Sequence, residues 1–377
     1  MTTRPRFLLT FLAWSSGLSG GDRHLLEVAA RWRAQVDVEV LAPPEAEPLL
    51  REFLGDVRIR TLGSASGRRA TAGLALALEY VRRAVLVSLR HSPPVDVVVA
   101  ASHFVPDAAA LASLTRRGAL GVSYVYHLLG ERSGHAPRTL WSKADERTAL
   151  ALLRRAARVV FVSNSETESA LARRGFATER TAVGVEVASF PHVVPGSLAP
   201  NAAFIARMAR TKGVRDAVET WAHVRHKLPS ARLSMVGTGP EREDGMQLAE
   251  QLGVAEAIQW PGFVPEDEKR RILGETRVLL APSYEEGWGI AVCEALASGV
   301  PVVAYRHPVL DELFDGAYVG VDAGDVEALA EQVIRVLEDD AYADGLSNGG
   351  RPVAQRYDVA RVAEQELETI LRVKCGS

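Results

Sequence analysis

The sequence predicts an α/β protein built from two doubly wound domains. Three observations support this prediction: the length of 377 residues, short apolar runs that alternate with helical periodicity, and a restart of that pattern after a proline-rich segment. Domains usually span about 100–200 residues, so the length fits two domains. Short apolar runs separated by helices indicate parallel strands joined by crossover connections, which is the pattern of a doubly wound sheet.

The first half contains five strand-like apolar runs and two clear helical stretches. The strands are predicted at 7–14, 36–41, 95–100, 121–126 and 158–163, and the helices at 22–33 and 69–90. Arg4 and Arg6 precede the first run, so these residues also mimic a secretory signal. We favour a buried first strand, because the alternation of strands and helices continues directly from it.

The second half repeats the pattern with a longer series of elements. The strands are predicted at 202–206, 231–236, 257–260, 277–281, 300–304 and 318–321, and the helices at 213–227, 241–251, 265–274, 290–298 and 325–339. The chain ends in a helical pattern at 358–372, with an apolar face that includes Val359 and Leu367. The second half therefore predicts another α/β domain of similar kind.

A proline-rich segment at 191–200, PHVVPGSLAP, marks the expected domain boundary. We expect an N-terminal domain at 1–190, a C-terminal domain at 201–355, and a separate helical tail at 356–377. A ligand of two such domains is expected outside the carboxyl ends of the strands, in the cleft between the domains.

The composition is that of an ordinary soluble protein, with 47% hydrophobic and 24% charged residues. The two cysteines, Cys293 and Cys375, provide neither a disulfide framework nor a metal quartet, which fits a reducing cytoplasm. No apolar run approaches the roughly 18 residues of a membrane span. A cytoplasmic protein, either soluble or peripheral at the inner membrane face, is therefore expected.

Charge is distributed unevenly along the chain. Residues 1–190 hold 25 Lys and Arg against 18 Asp and Glu, whereas 191–377 hold 19 against 29. The basic half could attract an anionic acceptor or membrane surface, and a chance imbalance is equally open. Helix 69–90 allows a membrane contact too, although an ordinary helix with solvated arginines is favoured. The sequence has no dense basic stripe, so no nucleic-acid partner is expected.

The most informative segment is 283–301, SYEEGWGIAVCEALASGVP, which follows the apolar strand at 277–281. Glu286 lies in a loop with Gly287 and Gly289, and Glu294 follows eight residues later in a helix. Glycines allow close backbone approach to a ligand, and a helix N-terminus directs N–H groups at an anion. This arrangement suits a nucleoside diphosphate, with the two carboxylates reaching different hydroxyl groups.

A second segment, FIARMARTKG at 204–213, places two cations after a strand. Arg207 and Lys212 lie five residues apart, and lysine is scarce in this chain. Arginine offers a planar fork to phosphate oxygens, and lysine a mobile point charge. Both side chains are therefore candidates for neutralising a diphosphate leaving group.

Glycine loops and histidines supply the remaining candidates. Gly237 and Gly239 lie in a turn between a strand and a helix, and Gly20 and Gly21 lie in a similar turn of the first domain, where Asp22 is the expected N-cap. His127 and His103 follow neighbouring strand patterns of the first half. A histidine at such a strand end can donate a hydrogen bond or transfer a proton near neutral pH.

Taken together, these motifs resemble those of glycosyltransferase family 4, the retaining GT-B enzymes with a Glu-x7-Glu signature. The resemblance covers nearly the whole chain and is strongest over 204–304. It implies two Rossmann-like domains that face each other across a cleft, with the nucleotide bound by the C-terminal domain and the acceptor by the N-terminal domain. It further implies that the tail helix at 356–377 packs back on the N-terminal domain. It also implies that Glu286 contacts the donor sugar, Glu294 the ribose, and Arg207 and Lys212 the donor phosphates.

The same resemblance extends to further positions. His127 would lie close to the donor sugar, and His103 would lie on the acceptor side. Segment 261–266 resembles the base-binding segment of the family, although Pro265 departs from some family patterns. The remaining residues that it assigns to donor binding are Gly20, Gly21, Gly237, Gly239, Val264, Glu266, Gly287, Trp288, Gly289 and Ile290.

The implied activity is retaining transfer of a sugar from a nucleotide-sugar donor to a hydroxyl group of a glycan, lipid or small molecule. The sequence lacks the Asp-x-Asp motif of metal-dependent GT-A enzymes, so we expect neither a metal nor a cofactor. Two alternatives stay open. One is a nucleotide-sugar epimerase of the same architecture, and the other is a non-catalytic protein that binds nucleotide sugars.

Overall fold

The computed structural model describes residues 4–14, 19–62, 73–89, 94–128 and 140–376, with the side chains of 73–75 and 140–142 left aside. The chain divides into two units. Unit 1 comprises Met1–Gly184 and Val359–Ser377, and unit 2 comprises Val185–Asp358. Each unit contains one sheet, and every pairing between its strands is parallel.

Within the described residues, the sheet of unit 1 has seven strands. They are β1 (Arg6–Thr10), β2 (Asp37–Ala42), β3 (Arg58–Thr61), β4 (Val97–Ala100), β5 (Leu120–Val125), β6 (Val159–Val162) and β7 (Glu179–Arg180). They lie in the order β3-β2-β1-β4-β5-β6-β7. The central strands are apolar on both faces because helices cover both sides of a parallel sheet, and every residue of β4 is buried.

The described part of unit 1 contains seven α-helices. They are α1 (Gly20–Trp32), α2 (Glu47–Leu54), α3 (Gly73–Leu89), α4 (Val105–Leu114), α5 (Leu140–Ala156), α6 (Ser165–Ala172) and α14 (Val359–Cys375). Helix α4 packs between α3 and α5, whereas α1 packs against α2 and α14. After β3, at one edge of the sheet, the chain crosses to β4 on the other side of β1. This change of direction places the helices in two layers, one on each face of the sheet.

The C-terminal helix α14 is part of the core of unit 1. Its Glu366 is buried and accepts hydrogen bonds from the Tyr124 hydroxyl at 2.7 Å and from His24 Nε2 at 3.1 Å. Trp32 Nε1 donates to the Ala363 carbonyl at 2.8 Å. These buried polar contacts, together with the apolar face of α14, attach the end of the chain to the sheet formed by its beginning.

The sheet of unit 2 has six strands. They are β8 (Asn201–Ile205), β9 (Arg232–Val236), β10 (Ile258–Gly262), β11 (Val278–Ala281), β12 (Val302–Tyr305) and β13 (Val319–Val321). They lie in the order β10-β9-β8-β11-β12-β13. The order reverses at β8, so the loops that follow β8 and β11 leave the same edge as neighbours. In doubly wound sheets this reversal point is where ligands bind.

The helices of unit 2 complete its two outer layers. They are α7 (Val214–Lys227), α8 (Arg242–Gln251), α9 (Glu266–Gly274), α10 (Ile290–Ser298), α11 (Pro308–Phe314), α12 (Val326–Glu338) and α13 (Asp340–Gln355). Helix α7 packs against α8 and α12, and α10 packs against α13. Trp221 of α7 is fully buried in the core beneath the sheet.

Several element ends differ from the sequence-based expectations. Strand β1 ends at Thr10, because the N–H groups of Leu12 and Ala13 donate to the Asp107 carboxylate. The prediction that Asp22 caps α1 is wrong. Ser19 is the N-cap, and Asp22 completes a capping box with it from the first turn.

The structure divides the chain at Gly184, ahead of the proline-rich segment 191–200. That segment is attached to unit 2, because Val193 N donates to the Ser298 carbonyl at 2.9 Å and Gly196 N donates to Asp344 at 2.9 Å. The backbone hydrogen bonds of the segment therefore place it in unit 2, which its proline content alone did not reveal.

Candidate functional site

The candidate site is built at the carboxyl edge of the unit 2 sheet. Six loops leave this edge, after strands β10, β9, β8, β11, β12 and β13 in spatial order. The predicted donor-binding residues of unit 2 all lie on the first four of these loops or on the helices that follow them. Parallel pairing brings these loops to one edge, although they are far apart in sequence.

The loops after β8 and β11 are joined by backbone hydrogen bonds. The Thr211 carbonyl accepts from Tyr284 N at 2.9 Å and from Glu285 N at 3.3 Å. Behind this contact, Gly213 adopts a left-handed conformation with φ of +67°. A Cβ atom at Gly213 would lie 2.0 Å from the Pro282 carbonyl oxygen, so the two backbones approach more closely than any other residue allows.

Lys212 and Glu286 form an ion pair across this junction. Lys212 Nζ lies 2.6 Å from Glu286 Oε1 and donates to the Glu285 carbonyl at 2.7 Å. The lysine side chain is 19% exposed and the glutamate side chain 15%, so both can still meet a ligand. The structure thus brings together two residues that sequence analysis assigned to different parts of the donor. Arg207, from the same loop as Lys212, is exposed.

Helix α10 begins beside this ion pair. Gly289 is its N-cap and has φ of +95°, and a Cβ there would lie 2.7 Å from Leu310. The first N–H groups of a helix have no partner within it, and they carry the positive end of the helix dipole. The N–H groups at the start of α10, beginning with Ile290, therefore suit an anion, and partly buried Gly287 precedes this helix in the loop that carries Glu286.

The Trp288 side chain is buried, whereas contact with a ligand requires an accessible side chain. Its indole is buried edge-on against Phe314 and Tyr357, with ring centroids 5.5 and 5.1 Å away. The side chain therefore anchors the loop to α11 and the end of α13, and the loop presents backbone rather than indole to the site.

Glu294 lies one turn further along α10 and is buried. Its Oε1 is 2.6 Å from Lys269 Nζ, and Lys269 Nζ is also 3.0 Å from Glu266 Oε2. Lys269 comes from α9, so it connects the segment predicted to bind the base with the helix that carries Glu294. Sequence analysis did not identify Lys269 as a site residue. The chain has only five lysines, and this scarcity could have drawn attention to it.

The glycine loop after β9 is attached to the loop after β8. Gly237 has φ of +128°, and a Cβ there would lie 2.0 Å from the Ala206 carbonyl oxygen. Met208 N donates to the Thr238 carbonyl at 2.8 Å, next to Arg207. Gly237 N in turn donates to the Gly262 carbonyl at 2.8 Å, which leads to partly buried Val264 and Glu266. Gly239 lies in the same loop and is exposed.

Two further side chains support the site, and sequence analysis did not identify them. Asp216 Oδ2 accepts hydrogen bonds from the hydroxyls of Tyr284 and Tyr305, at 2.6 and 2.7 Å. Burial, with the neighbouring Asp216, raises the pKa of Tyr284 to about 12, so the phenol stays a donor at neutral pH. His307, after β12, accepts at Nε2 from Glu286 N at 3.4 Å.

In unit 1, the predicted glycine pair opens α1, while residues 15–18 of the same loop lie outside the described part of the chain. Gly20 is exposed, and a Cβ at Gly21 would lie 2.5 Å from the Tyr126 ring. The Tyr126 hydroxyl also donates to the Gly21 carbonyl at 3.2 Å. Close packing against Tyr126 is thus a structural reason for glycine at this position.

The two predicted histidines of unit 1 lie near each other at the carboxyl edge of its sheet. The rings of His103 and His127 are 6.1 Å apart and meet edge-on, and His103 stacks on Phe104. His103 is buried, and this burial lowers its pKa to about 4, so it is neutral at physiological pH. Its Nε2 has no hydrogen-bond partner, whereas His127 is only half-buried.

Within the described ranges, no group of three or more His, Cys, Asp or Glu side chains has the arrangement of a metal site. The charged groups at the unit 2 edge are instead two cation–carboxylate pairs. Lys212 with Glu286 is partly exposed, and Lys269 with Glu294 is nearly buried. This combination, next to the N-terminus of α10, is suited to binding a ligand with both phosphate and hydroxyl groups.

Comparison with known sequences identifies the family. The sequence model described as "Glycosyltransferase Family 4" matches residues 18–210, about half of the chain. The chain belongs to glycosyltransferase family 4. A second model, "Glycosyl transferases group 1", matches residues 199–352 of this family 4 chain. The two matches together span residues 18–352, which include all the unit 2 loops of the candidate site.

Curated relatives match parts of this family 4 chain. The putative colanic acid biosynthesis glycosyltransferase WcaL of Escherichia coli is 28% identical over 217 residues, which is 54% of this chain and 53% of WcaL. The 2-deoxystreptamine glucosyltransferase of Streptomyces kanamyceticus is 31% identical over 183 residues, 48% of this chain and 47% of that enzyme. The chain thus spans about half the length of the curated relatives it matches.

Solved structures match the family 4 chain over nearly its full length. The sucrose-phosphate synthase of Thermosynechococcus elongatus has a TM-score of 0.78 at 18% identity and covers 99% of this chain and 100% of its own. Anabaena Alr3699/HepE, in complex with UDP-glucose, has a TM-score of 0.75 at 17% identity, with coverage of 97% and 99%. The predicted α/β class and GT-B fold are thereby confirmed.

The close backbone approach at Gly213 generates a prediction. Replacing Gly213 with Ala should destabilise the protein by about 2–5 kcal/mol, because a left-handed alanine is strained and its Cβ displaces the Pro282 carbonyl. Gly253→Ala is the matched control, since Gly253 has φ of +70° with nothing within 4 Å of its Cβ, and it should cost only about 1–2 kcal/mol. Chemical denaturation measures both, and equal losses would contradict this account of the junction.

Proposed function

We propose that this protein is a retaining glycosyltransferase that moves a sugar from a nucleotide-diphosphate sugar to a hydroxyl acceptor. The observation that carries the proposal is the Lys212–Glu286 ion pair beside the N-terminus of α10. There, a cation and free helix N–H groups suit a diphosphate, and a carboxylate suits sugar hydroxyls. Membership of family 4 and the names of the relatives, glucosyltransferases among them, support the same activity.

The proposed reaction balances without a protein nucleophile. The acceptor oxygen forms a bond to the anomeric carbon on the face from which the diphosphate leaves, and the diphosphate takes the acceptor proton. Negative charge grows on the leaving oxygen as its bond to carbon breaks. Arg207, Lys212 and the N-terminus of α10 would stabilise that charge, and preorganised charge of this kind is often the largest catalytic contribution. We propose that no metal is needed, because these groups supply the positive charge.

Unit 1 is proposed to bind the acceptor at the carboxyl edge of its sheet. His103, neutral and with an unpartnered Nε2, offers a hydrogen bond to a hydroxyl group. His127, beside it and less buried, is the candidate for a group that contacts the reacting sugar or moves a proton. Glycan, lipid and small-molecule acceptors are all compatible with such contacts.

Substitution of the phosphate-binding cations tests the mechanism. Arg207→Ala or Lys212→Ala should lower the transfer rate by about 10²–10³-fold, as removal of one charge-stabilising donor does. Arg210→Ala is the control, because Arg210 is exposed in the same turn and has no assigned role. Glu286→Ala should abolish transfer, and normal activity in that variant would reject its sugar-binding role. Wild-type turnover in both cation variants would reject the proposed leaving-group stabilisation.

Donor binding is tested by a thermal-shift screen of UDP, GDP, ADP and dTDP with their common sugars, with and without Mg²⁺. A donor at about 100 times its Kd should stabilise the protein by about 2.7 kcal/mol. The expected result is a shift with one nucleotide class that does not depend on metal. Product analysis of that donor then separates the alternatives. Conversion of the donor without any acceptor would indicate an epimerase. Donor binding without turnover, over a broad set of acceptors, would indicate a non-catalytic protein.

We also propose that α3 contacts an anionic membrane surface in the cytoplasm. Leu78, Val81, Val85 and Leu89 recur at helical spacing on one face and are 44–79% exposed. The described helices include none that is long and apolar enough to cross a bilayer. An exposed aliphatic stripe therefore suits a helix that lies along a surface instead.

The charges around this stripe favour an anionic surface. From 76 to 89 the other exposed residues of α3 are Arg82 and Ser88, and partly buried Glu79 pairs with Arg82 at 2.7 Å. Helix α4 packs against α3 and is followed by a short turn with exposed Arg116 and Arg117. Both helices run antiparallel to the strands they connect, so these arginines and Leu89 lie at the same end. Basic residues near an aliphatic face increase binding to anionic lipid.

Vesicle flotation tests the membrane proposal. The wild-type chain should bind vesicles of phosphatidylcholine with phosphatidylglycerol more strongly than phosphatidylcholine alone. Leu78→Gln and Leu89→Gln should each weaken this binding at least about tenfold, from the lost burial of one leucine. Leu252→Gln changes an exposed leucine of unit 2 and should have no effect. The proposal would be overturned if the wild-type chain does not bind the vesicles. It would also be overturned if the wild type forms a dimer that the two α3 variants do not form, since the stripe would then be a contact between two copies of the chain.

A further inference from the structure

His307 contacts the loop that carries Glu286, and it does so from the side opposite Lys212. The strand order places β11 between β8 and β12, so the loop after β11 is flanked by the loops that follow its two neighbours. From the β8 side, Lys212 Nζ lies 2.6 Å from the Glu286 carboxylate. From the β12 side, His307 Nε2 accepts a hydrogen bond from the Glu286 backbone N–H at 3.4 Å. Two loops therefore contact Glu286, one at its side chain and one at its backbone.

The backbone of this loop is anchored before and after Glu286. Before it, the Thr211 carbonyl accepts from Glu285 N at 3.3 Å. After it, the buried Trp288 ring packs against α11 and the end of α13. Gly287 lies between Glu286 and the second anchor, and a glycine restricts the backbone less than any other residue. A hydrogen bond at Glu286 N thus adds a restraint at the residue whose carboxylate is assigned to the sugar.

The same histidine caps a helix. His307 is the N-cap of α11, where its Nδ1 accepts from Val309 N at 3.2 Å. Pro308, the first residue of α11, has no N–H, so Val309 provides the first one that a cap can satisfy. Helix α11 packs against the start of α10, because a Cβ at Gly289 would lie 2.7 Å from Leu310. The imidazole ring therefore lies between a helix N-terminus and the donor-site loop.

The chemistry of imidazole makes these two contacts alternatives. The neutral ring carries its hydrogen on one nitrogen, so only the other nitrogen can accept a hydrogen bond. The tautomer with its hydrogen on Nε2 caps α11, and the tautomer with its hydrogen on Nδ1 accepts from Glu286. Transfer of the ring hydrogen therefore exchanges one contact for the other.

Capping by itself does not require histidine. Asparagine, aspartate and serine are preferred at an N-cap, and these shorter side chains reach about as far as Nδ1 does. Nε2 lies further from the backbone, and it is the atom that accepts from Glu286 N. The additional reach of the imidazole is thus directed at the loop of the candidate site.

We propose that His307 is a positioning residue, which restrains the backbone of Glu286 so that its carboxylate faces the donor sugar. This inference rests on the proposed function, in which Glu286 contacts that sugar. Loss of the restraint should weaken recognition of the sugar about tenfold, as loss of one hydrogen bond does. Binding of the diphosphate should stay close to that of the wild type, since Arg207, Lys212 and the start of α10 are assigned to it.

Two substitutions separate positioning from capping. His307→Asn keeps an acceptor at the reach of Nδ1, so it retains the cap of α11 and loses the contact with Glu286. His307→Gln keeps an acceptor at the reach of Nε2, so it retains that contact and loses the cap. We expect the asparagine variant to impair sugar recognition at an unchanged denaturation midpoint. The glutamine variant should lower the midpoint and lose less recognition than the asparagine variant.

Calorimetric titration of the full chain measures sugar recognition. The readout is the ratio of the Kd of a nucleoside diphosphate to the Kd of its sugar conjugate. The probes are UDP with UDP-glucose, GDP with GDP-mannose, ADP with ADP-glucose and dTDP with dTDP-glucose. His307→Asn should shift this ratio about tenfold against the sugar conjugate. His223→Asn is the matched control, because His223 is exposed on α7 of the same unit, and it should keep the wild-type ratio.

A double variant tests whether His307 acts through Glu286. Glu286→Ala should by itself shift the ratio against the sugar conjugate. If His307 acts through Glu286, adding His307→Asn to Glu286→Ala should cause no further shift, because residues that act as one unit are not additive. A merely structural role would lower binding of both probes and would do so in both backgrounds.

The outcomes separate this inference from the function on which it rests. If the wild type binds none of the probes, or Glu286→Ala leaves the ratio unchanged, the proposed sugar contact fails and the inference fails with it. If Glu286→Ala shifts the ratio and His307→Asn does not, the inference is overturned while the proposed function stands. Equal losses in the asparagine and glutamine variants would also overturn it, since the acceptor that glutamine retains would then have no effect.

Discussion

The candidate site depends on the contact between the loops that follow β8 and β11. One carbonyl, that of Thr211, accepts two backbone N–H groups of the opposite loop, and Lys212 donates to that loop with its side chain. The contact exists because the sheet order reverses at β8, which makes these loops neighbours. The ion pair between Lys212 and Glu286 and the start of α10 both follow from it. Any shift of one loop would separate the cation from the carboxylate and from the helix N-terminus.

Backbone proximity, more than side-chain packing, holds this edge together. At Gly213 and Gly237 a Cβ would lie 2.0 Å from a carbonyl oxygen of the neighbouring loop. Both glycines also adopt positive φ angles that other residues rarely adopt. The glycines therefore have a structural role in addition to allowing close approach of a ligand. They let three loops lie close enough together to form one binding edge.

The two cation–carboxylate pairs divide the chemistry of the site between them. Glu286 and Lys212 remain accessible, which suits groups that meet a substrate and its developing charge. Glu294 and Lys269 are withdrawn from solvent, which suits recognition by a fixed carboxylate. The two pairs thus have the same chemical composition and differ in burial.

The sequence by itself determined the fold class, the second-half elements around the site, and the candidates Arg207, Lys212, Glu286 and Glu294. These follow from local patterns: apolar runs, helical spacing, and glycines next to strand ends. Helix α10 begins and ends where its pattern predicted, at Ile290–Ser298. By contrast, α13 was not predicted, because it contains a proline and several glycines, and Gly350 is required there by close packing against Leu296.

Only the tertiary structure decided which residues meet. Lys269 and Glu294 are 25 residues apart in sequence, and Lys212 and Glu286 are 74 apart, so no local pattern pairs them. The same applies to the end of the chain, where the apolar spacing of α14 predicted a helix but not the buried contact of Glu366 with Tyr124. Sequence spacing specifies elements because their hydrogen bonds are local. Pairing across a parallel sheet depends on strand order and burial, which exist only once the chain has folded.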